Sequence, residues 1–125
     1  MFPFGKKIIK SRRVVIIGAG IVALNIAKIL EINEPDSSIT IIENNKETAE
    51  RAAIELEKAN VLLGDAVEPE IIQEAEISQA DIVFSVTNSD EINTLVSTLA
   101  KKAGAKNCYA LLNGDKYLPV ISLMD

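Results

Sequence analysis

Apolar positions along the chain change period repeatedly, and each change marks an element. Residues 14–17 (VVII) are consecutive β-branched residues, a run suited to a strand buried on both faces. After Gly18, Ala19 and Gly20, the apolar positions take a wide helical face from Ile21 to Leu30, leaving a thin polar stripe at Asn25, Lys28 and Glu31. Asn33 to Ser37, with Pro35 inside, breaks that helix. Residues 39–43 (ITIIE) read as a second strand. Asn44 or Asn45 can then cap a helix with Ala49, Ala52, Ala53, Leu56 and Ala59 on one side.

The alternation continues to the end of the chain. Residues 61–63 are a short third strand, and Pro69 suits the first turn of a helix covering Ile71, Ile72 and Ala75. Residues 82–86 (IVFSV) are a fourth strand. The next helix buries Ile92, Leu95, Val96, Leu99 and Ala103 and ends at Gly104. Residues 108–112 are a fifth strand, Asn113-Gly114 a turn, and the tail a helix broken near Pro119. Right-handed crossovers make this an α/β fold: a doubly wound parallel sheet of about five strands with helices on both faces.

The stretch from Val14 to Leu30 carries chemistry as well as shape. Strand, glycine turn and helix form G-x-G-x-x-A, the phosphate-binding turn of a Rossmann-like dinucleotide fold. Gly18 can take the angles of a tight turn, and Gly20, lacking a side chain, lets a pyrophosphate approach the main chain. The N–H groups opening the helix have no intrahelical partner, and the helix dipole is positive there, so an anion is favoured. Ala23, at the third motif position, packs helix on strand. The alternative is a glycine turn with no ligand.

Glu43 ends the second strand at the ~20-residue spacing expected of the ribose-binding acid. A carboxylate there can accept hydrogen bonds from both ribose hydroxyls. It repels a 2′-phosphate by about 4 kcal/mol at ~4 Å and an effective dielectric of ~20. NAD(H) is therefore the expected ligand, ATP, ADP and AMP remain open, and NADP(H) is disfavoured. A solvated strand-end carboxylate is the alternative. Arg51 is spaced i, i+4 from both Glu47 and Glu55 and reads as a member of a surface pair, with a role near the adenosine left open. Asp65, in the Gly64-Asp65-Ala66 turn, either meets the adenine edge or caps the next helix. Thr87 and Asn88, past the fourth strand at the switch point, either contact the nucleotide or cap their own helix.

Composition narrows the choices. At 125 residues and 13.5 kDa the chain is one domain with room for a core. A net charge of -5 argues against nucleic acid as a partner. With no histidine, the commonest metal ligand and the commonest acid–base group near neutral pH are missing; neither metal nor catalytic residues are assigned. The lone Cys108 reads as a reduced core thiol. No stretch is apolar for long enough to cross a membrane. Residues 1–11 read as a basic linker, with Lys6, Lys7 and Lys10 ahead of Arg12 and Arg13, rather than a lipid-docking tract.

Several blocks together resemble one family. RRVVIIGAGIVALNIAKIL, ITIIE, VLLGDA, DIVFSVTNSDEIN and LAKKAGAKNCYAL look like the nucleotide-binding domain of TrkA-type regulatory subunits of potassium transport, also called RCK or KTN domains. The resemblance covers roughly residues 12–121, and the G-D-A turn with the later V-T-N-x-D-E-x-N is its most specific part. It implies Gly18, Ala19, Gly20, Ile21 and Val22 at the pyrophosphate, and Glu43 with Asn44 at the adenosine ribose. It puts Gly64, Asp65 and Ala66 by the adenine, and Thr87 and Asn88 toward the rest of the ligand. Such domains assemble as dimers and larger rings on the cytoplasmic face of a membrane-embedded potassium channel or transporter, and bound NAD(H) or ATP/ADP gates the pore. Ala23 replaces the family's usual third glycine. The family's sixth strand and C-terminal ligand-sensing subdomain are not found in residues 12–125, which therefore read as an excised domain.

The expectation is a non-catalytic nucleotide sensor. The alternatives are the cofactor domain of an NAD-dependent oxidoreductase, disfavoured by the absence of histidine and of a substrate domain, and an assembly domain with a vestigial pocket.

Overall fold

The computed structural model describes residues 11–114. Strand β1 (Arg13–Ile17) leads through the glycine turn into α1 (Ile21–Asn33). β2 (Ser38–Glu43), α2 (Lys46–Glu55) and β3 (Asn60–Leu63) follow. A crossover of α3 (Pro69–Glu74) and a short 3-10 turn (Ile77–Gln79) brings the chain to β4 (Ile82–Ser85). α4 (Asp90–Ala103) and β5 (Asn107–Ala110) complete the described part.

All strand pairings are parallel, and the sheet order is β3-β2-β1-β4-β5. The chain winds outward from β1 to β3, then returns past β1 to start again at β4. The order therefore reverses between β1 and β4, as the doubly wound reading requires.

The period-2 geometry of the strands sends alternate residues to two cores. Val14, Ile16, Ile39 and Ile41 pack beneath Ala23, Ala27, Ala52 and Leu56 of the α1–α2 layer. Val15, Ile17, Ile42 and Val83 face Ile77, Val96 and Ala100 on the other side. α1 meets the strands mainly through buried alanines, so it lies close to them. Ala23 is wholly buried in that seam.

Several expectations need correction. α2 ends at Glu55, so Ala53 is exposed and Ala59 belongs to the turn before β3. That turn is fixed by Glu31, whose carboxylate accepts from the N–H groups of Glu57 (3.3 Å), Lys58 (2.5 Å) and Ala59 (2.9 Å). Lys28 pairs with Glu55 at 3.2 Å. Two residues of the polar stripe of α1, Lys28 and Glu31, thus tie that helix to α2 and to the turn after it.

α4 is rotated from its expected setting. Val96 is buried as anticipated, but its companions are Asn93, Thr94, Ser97 and Ala100, while Ile92 and Leu95 are exposed. Small residues let the helix approach the sheet, and Asn93 finds main-chain partners there that no aliphatic side chain could use.

β4 and β5 stop short of Val86 and Leu111. Arg12 and Arg13 are not part of a free basic tract. The Arg12 guanidinium grips the nearly buried Glu34 carboxylate, and Arg13 opens β1 and pairs with Glu76. A buried carboxylate needs such a partner. Residues 1–10 of the expected linker (1–11) and the tail helix near Pro119 lie outside the described residues.

Candidate functional site

The carboxyl ends of β1, β2, β3 and β4 border one crevice of about 750 Å³, within the range of small-molecule sites. Its floor is the glycine turn. Gly18 sits at φ +104, and a Cβ there would press on Val86 O and Thr87 Cγ2, both at 3.3 Å. Both its angles and its neighbours demand glycine. Gly20 differs: its φ of -81 is ordinary, and nothing lies within 4 Å of where a Cβ would be. The space beside it is open to whatever approaches the main chain.

Gly20 is also the N-cap of α1. It supplies no side-chain cap, and the first turn of α1 contains no acidic residue. The other helices differ. α2 has Asn45 as cap and Glu47 in its first turn, α4 has Ser89 with Asp90 and Glu91, and α3 has Pro69 and Glu70. Among the described α-helices, α1 alone leaves its positive end without an acidic residue or a side-chain cap of its own.

Glu43 stands beside this end. Its Oε1 accepts from Ala19 N–H at 2.9 Å and its Oε2 from Asn45 N–H at 2.8 Å. The carboxylate thus faces the crevice and ties the glycine turn to the start of α2. Each oxygen keeps acceptor capacity for a further donor. Asn45, not Asn44, caps α2, accepting from Thr48 N–H at 2.9 Å. Asn44 is left on the crevice wall.

On the β3 side, a Cβ on Gly64 would collide with the side chain of Ile71, whose Cγ1 lies 2.8 Å away. Asp65 Oδ1 accepts from Val67 N–H at 3.1 Å, closing a turn two residues long. It does not cap α3, whose N-cap is Glu68. Ala66 is buried beneath.

The β4 side is built around a residue to which the sequence reading gave no role. Asn93 is fully buried. Its Oδ1 accepts from Thr87 N–H (2.8 Å) and Thr87 Oγ1 (2.6 Å), and its Nδ2 donates to Thr87 O (3.0 Å) and Leu111 O (2.9 Å). Ser89, rather than Thr87 or Asn88, caps α4 by accepting from Ile92 N–H at 3.2 Å. Asn88 is exposed on the lip. Asn93 was visible as the last residue of V-T-N-x-D-E-x-N. A polar residue on a face otherwise read by its leucines was the signal.

The crevice brings together Gly18, Ala19, Gly20, Ile21, Glu43, Asn44, Gly64, Asp65, Ala66, Thr87 and Asn88. Val22 does not line it: its side chain leaves α1 on another side, although its main-chain N–H belongs to the same bare turn. Asn25, Lys28, Thr48, Arg51 and Glu55 extend the wall between α1 and α2. The expected surface pair of Arg51 with Glu55 is corrected: Glu55 pairs with Lys28, and Arg51 turns to the crevice. Cys108 is half-buried on β5, and burial pushes its thiol up from the ordinary range. Among the described residues no group of three or more His, Cys, Asp or Glu is placed to hold a metal, and no helix is long and apolar enough to cross a membrane.

Residues 14–124 match the family model of the TrkA-N domain. The chain belongs to the TrkA-N domain family. This TrkA-N domain is 38% identical over 121 residues to a "Trk system potassium uptake protein trkA homolog 1" of Methanosarcina mazei, covering 97% of this chain and 30% of that protein. It is 37% identical over 110 residues to the "Trk system potassium uptake protein TrkA" of Vibrio alginolyticus, covering 88% and 23%. The chain therefore spans less than a third of the length of either relative.

Among solved structures, the TrkA-N domain resembles the NAD(P)-binding domain of an exopolyphosphatase-related protein from Archaeoglobus fulgidus. The TM-score is 0.61 at 13% identity, covering 89% of this chain and 95% of that one. It also resembles the AMP-bound C-terminal domain of Shewanella denitrificans Kef, with a TM-score of 0.62 at 15% identity, covering 78% and 56%. At these identities the likeness is one of fold, and it confirms the Rossmann-like architecture.

Proposed function

We propose that this TrkA-N domain is a non-catalytic nucleotide sensor of a potassium uptake system, with NAD(H) as its ligand and ATP, ADP or AMP as competitors for the same crevice. The observation that carries this reading is the bare start of α1. Open space adjoins Gly20, no side chain caps the first turn of α1, and the Glu43 carboxylate is held alongside by Ala19 N–H. A diphosphate suits the first feature and a ribose diol the second.

In this reading Ile21 and Val22 N–H bind the diphosphate, and Glu43 and Asn44 the ribose. Gly64, Asp65 and Ala66 border the adenine, and Thr87 and Asn88 meet the far half of the ligand. The names of its relatives support potassium uptake as the setting. There the domain acts as a homo-oligomer at the cytoplasmic face of a membrane-embedded transport subunit. A nucleotide shifts such an assembly only by binding its arrangements with different affinity, and closure of the crevice around the ligand is the transmitted change.

Calorimetric titration of the 125-residue chain with NAD(H), NADP(H), ATP, ADP and AMP tests the reading. Binding of NAD(H), with NADP(H) weaker, is expected. Absence of binding to every one of these ligands overturns it.

A further inference from the structure

Asn93 is fully buried, lines no part of the crevice, and yet spends most of its hydrogen-bonding capacity on one crevice residue. Thr87 is held at its N–H, its carbonyl and its hydroxyl by this one amide. The remaining Nδ2 proton goes to Leu111 O, just past β5. One turn earlier on α4, Asp90 accepts from the N–H groups of Asn113 (2.9 Å) and Gly114 (3.0 Å). The β4 lip and the chain leaving β5 are therefore bound to the same first turn of α4.

An ordinary helix-start residue does not need this. Ser89 already caps α4, and Thr87 Oγ1 accepts from Ser89 N–H at 3.1 Å to fix the turn locally. Thr87 Oγ1 donates to Asn93 Oδ1 at 2.6 Å, a closer acceptor than Ser89 O at 3.3 Å, so the buried amide holds the hydroxyl from within the fold. Fully satisfied buried polar groups of this kind specify one arrangement, because any other leaves a buried donor or acceptor unpaired.

We infer that Asn93 is the positioning residue of the nucleotide site: it presets Thr87 for the far half of a dinucleotide and couples that lip to the segment at residues 111–114. This rests on the nucleotide-binding reading above and adds to it a division of labour. The β1–β2 side of the crevice holds an adenosine phosphate without Asn93, whereas the β4 side depends on it.

The test compares NADH, which reaches both sides, with AMP, which ends at the first phosphate. The full chain and the variants Asn93→Asp, Thr87→Val and Thr87→Ser are titrated with each. In Asn93→Asp a carboxylate oxygen replaces the amide nitrogen that faces two carbonyls. NADH affinity falls about tenfold or more, the equivalent of roughly 1.4 kcal/mol, while AMP affinity holds. Thr87→Val reproduces the selective loss and Thr87→Ser, which keeps the hydroxyl, restores NADH binding.

Equal losses for both ligands, or no loss for either, overturn the inference while leaving the nucleotide site standing. Should Asn93→Asp not fold, the Thr87 pair and the unsubstituted chain decide. In the latter, NADH slows amide hydrogen exchange at Leu111, Asn113 and Gly114 and AMP does not; identical protection by both overturns the coupling. Failure of the unsubstituted chain to bind NADH and AMP alike overturns the nucleotide reading itself, and this proposal with it.

Discussion

Two helices begin on either side of the point where the strand order reverses, and they begin in opposite ways. α4 is closed by its own chain: Ser89 caps it, Asp90 and Glu91 balance its dipole, and Asn93 saturates the preceding loop. α1 starts from Gly20 with no side-chain cap, no acidic residue in its own first turn and open space where a Cβ would be. The amides at the two starts are chemically alike, so the contrast lies in what the sequence supplies around them. Where the chain answers its own polar groups, the structure is preset. Where it leaves them bare, the turn is suited to an anion from outside, as the proposed function requires.

The sharpest way to break this comparison is to give α1 what α4 has. Gly20→Asp places a carboxylate at the N-cap, where φ is ordinary and no neighbour obstructs a side chain. The expected outcome is a loss of nucleotide affinity of about a hundredfold or more, since the new charge occupies the anion's place and repels it. The fold should hold or gain a few tenths of a kcal/mol in thermal unfolding, as capping by Asp improves slightly on Gly. Unchanged affinity would show that the bare turn is not where phosphate binds.

The second largest effect concerns the other motif glycine, and it falls on stability. Gly18→Ala puts a side chain at φ +104, against Val86 O and Thr87 Cγ2. A cost of about 1–3 kcal/mol in denaturant unfolding is expected. The two glycines of one motif thus stand apart: the fold needs Gly18, whereas nothing in the fold crowds Gly20, which the proposed function gives to the ligand. Equal destabilisation by Gly18→Ala and Gly20→Ala would erase that distinction.

The α1 side of the site was legible in the sequence, and the α4 side was not, for a physical reason. β-branched runs, a glycine turn and a strand-ending acid act through local geometry, so Gly18, Gly20 and Glu43 could be placed from spacing alone. Asn93 acts through the loop at Thr87, six residues back, and through Leu111, 18 residues on; Glu31 acts through partners up to 28 residues away, and Arg51 through a crevice wall made of several elements. Hydrophobic periodicity assigned the face of α4 by Leu95 and Leu99, whereas the helix is seated by a buried amide and small side chains. Arg51 had two carboxylates at helical spacing. One of them, Glu55, is taken by Lys28 from the neighbouring helix, and spacing along a single helix cannot reveal that.

A smaller effect sharpens the comparison from the closed side. The Asn113 N–H, followed by that of Gly114, holds the Asp90 carboxyl below the usual carboxylate range. A folded-state pKa that is depressed contributes stability above the unfolded pKa and loses it as pH falls through the folded one. Asp90→Asn should therefore melt earlier than the unsubstituted chain at neutral pH, with the gap closing as the pH falls below the ordinary carboxylate range. Asp81, held down by Arg13 N–H and Lys106, should behave alike. A gap that stays constant down to acid pH would mean these bonds do not depend on ionisation.

The smallest effect comes from the residue next to Asn93. Thr94 is buried on the same helix, but its Oγ1 has no hydrogen-bond partner among the described residues. Two adjacent buried polar side chains thus stand at opposite extremes of satisfaction. Desolvating a hydroxyl without a partner costs roughly 1–3 kcal/mol on protein mutational scales, while exchanging it for a methyl group removes that cost. Thr94→Val should accordingly be neutral or stabilising by up to about 1 kcal/mol in thermal unfolding, with NADH affinity unchanged. Asn93→Leu, an apolar change at the neighbouring position, should destabilise, because Thr87 and Leu111 are left holding unpaired groups. If instead Thr94→Val costs as much as Asn93→Leu, hydrogen bonding is not what separates the two sites, and the closed start of α4 owes its order to packing alone.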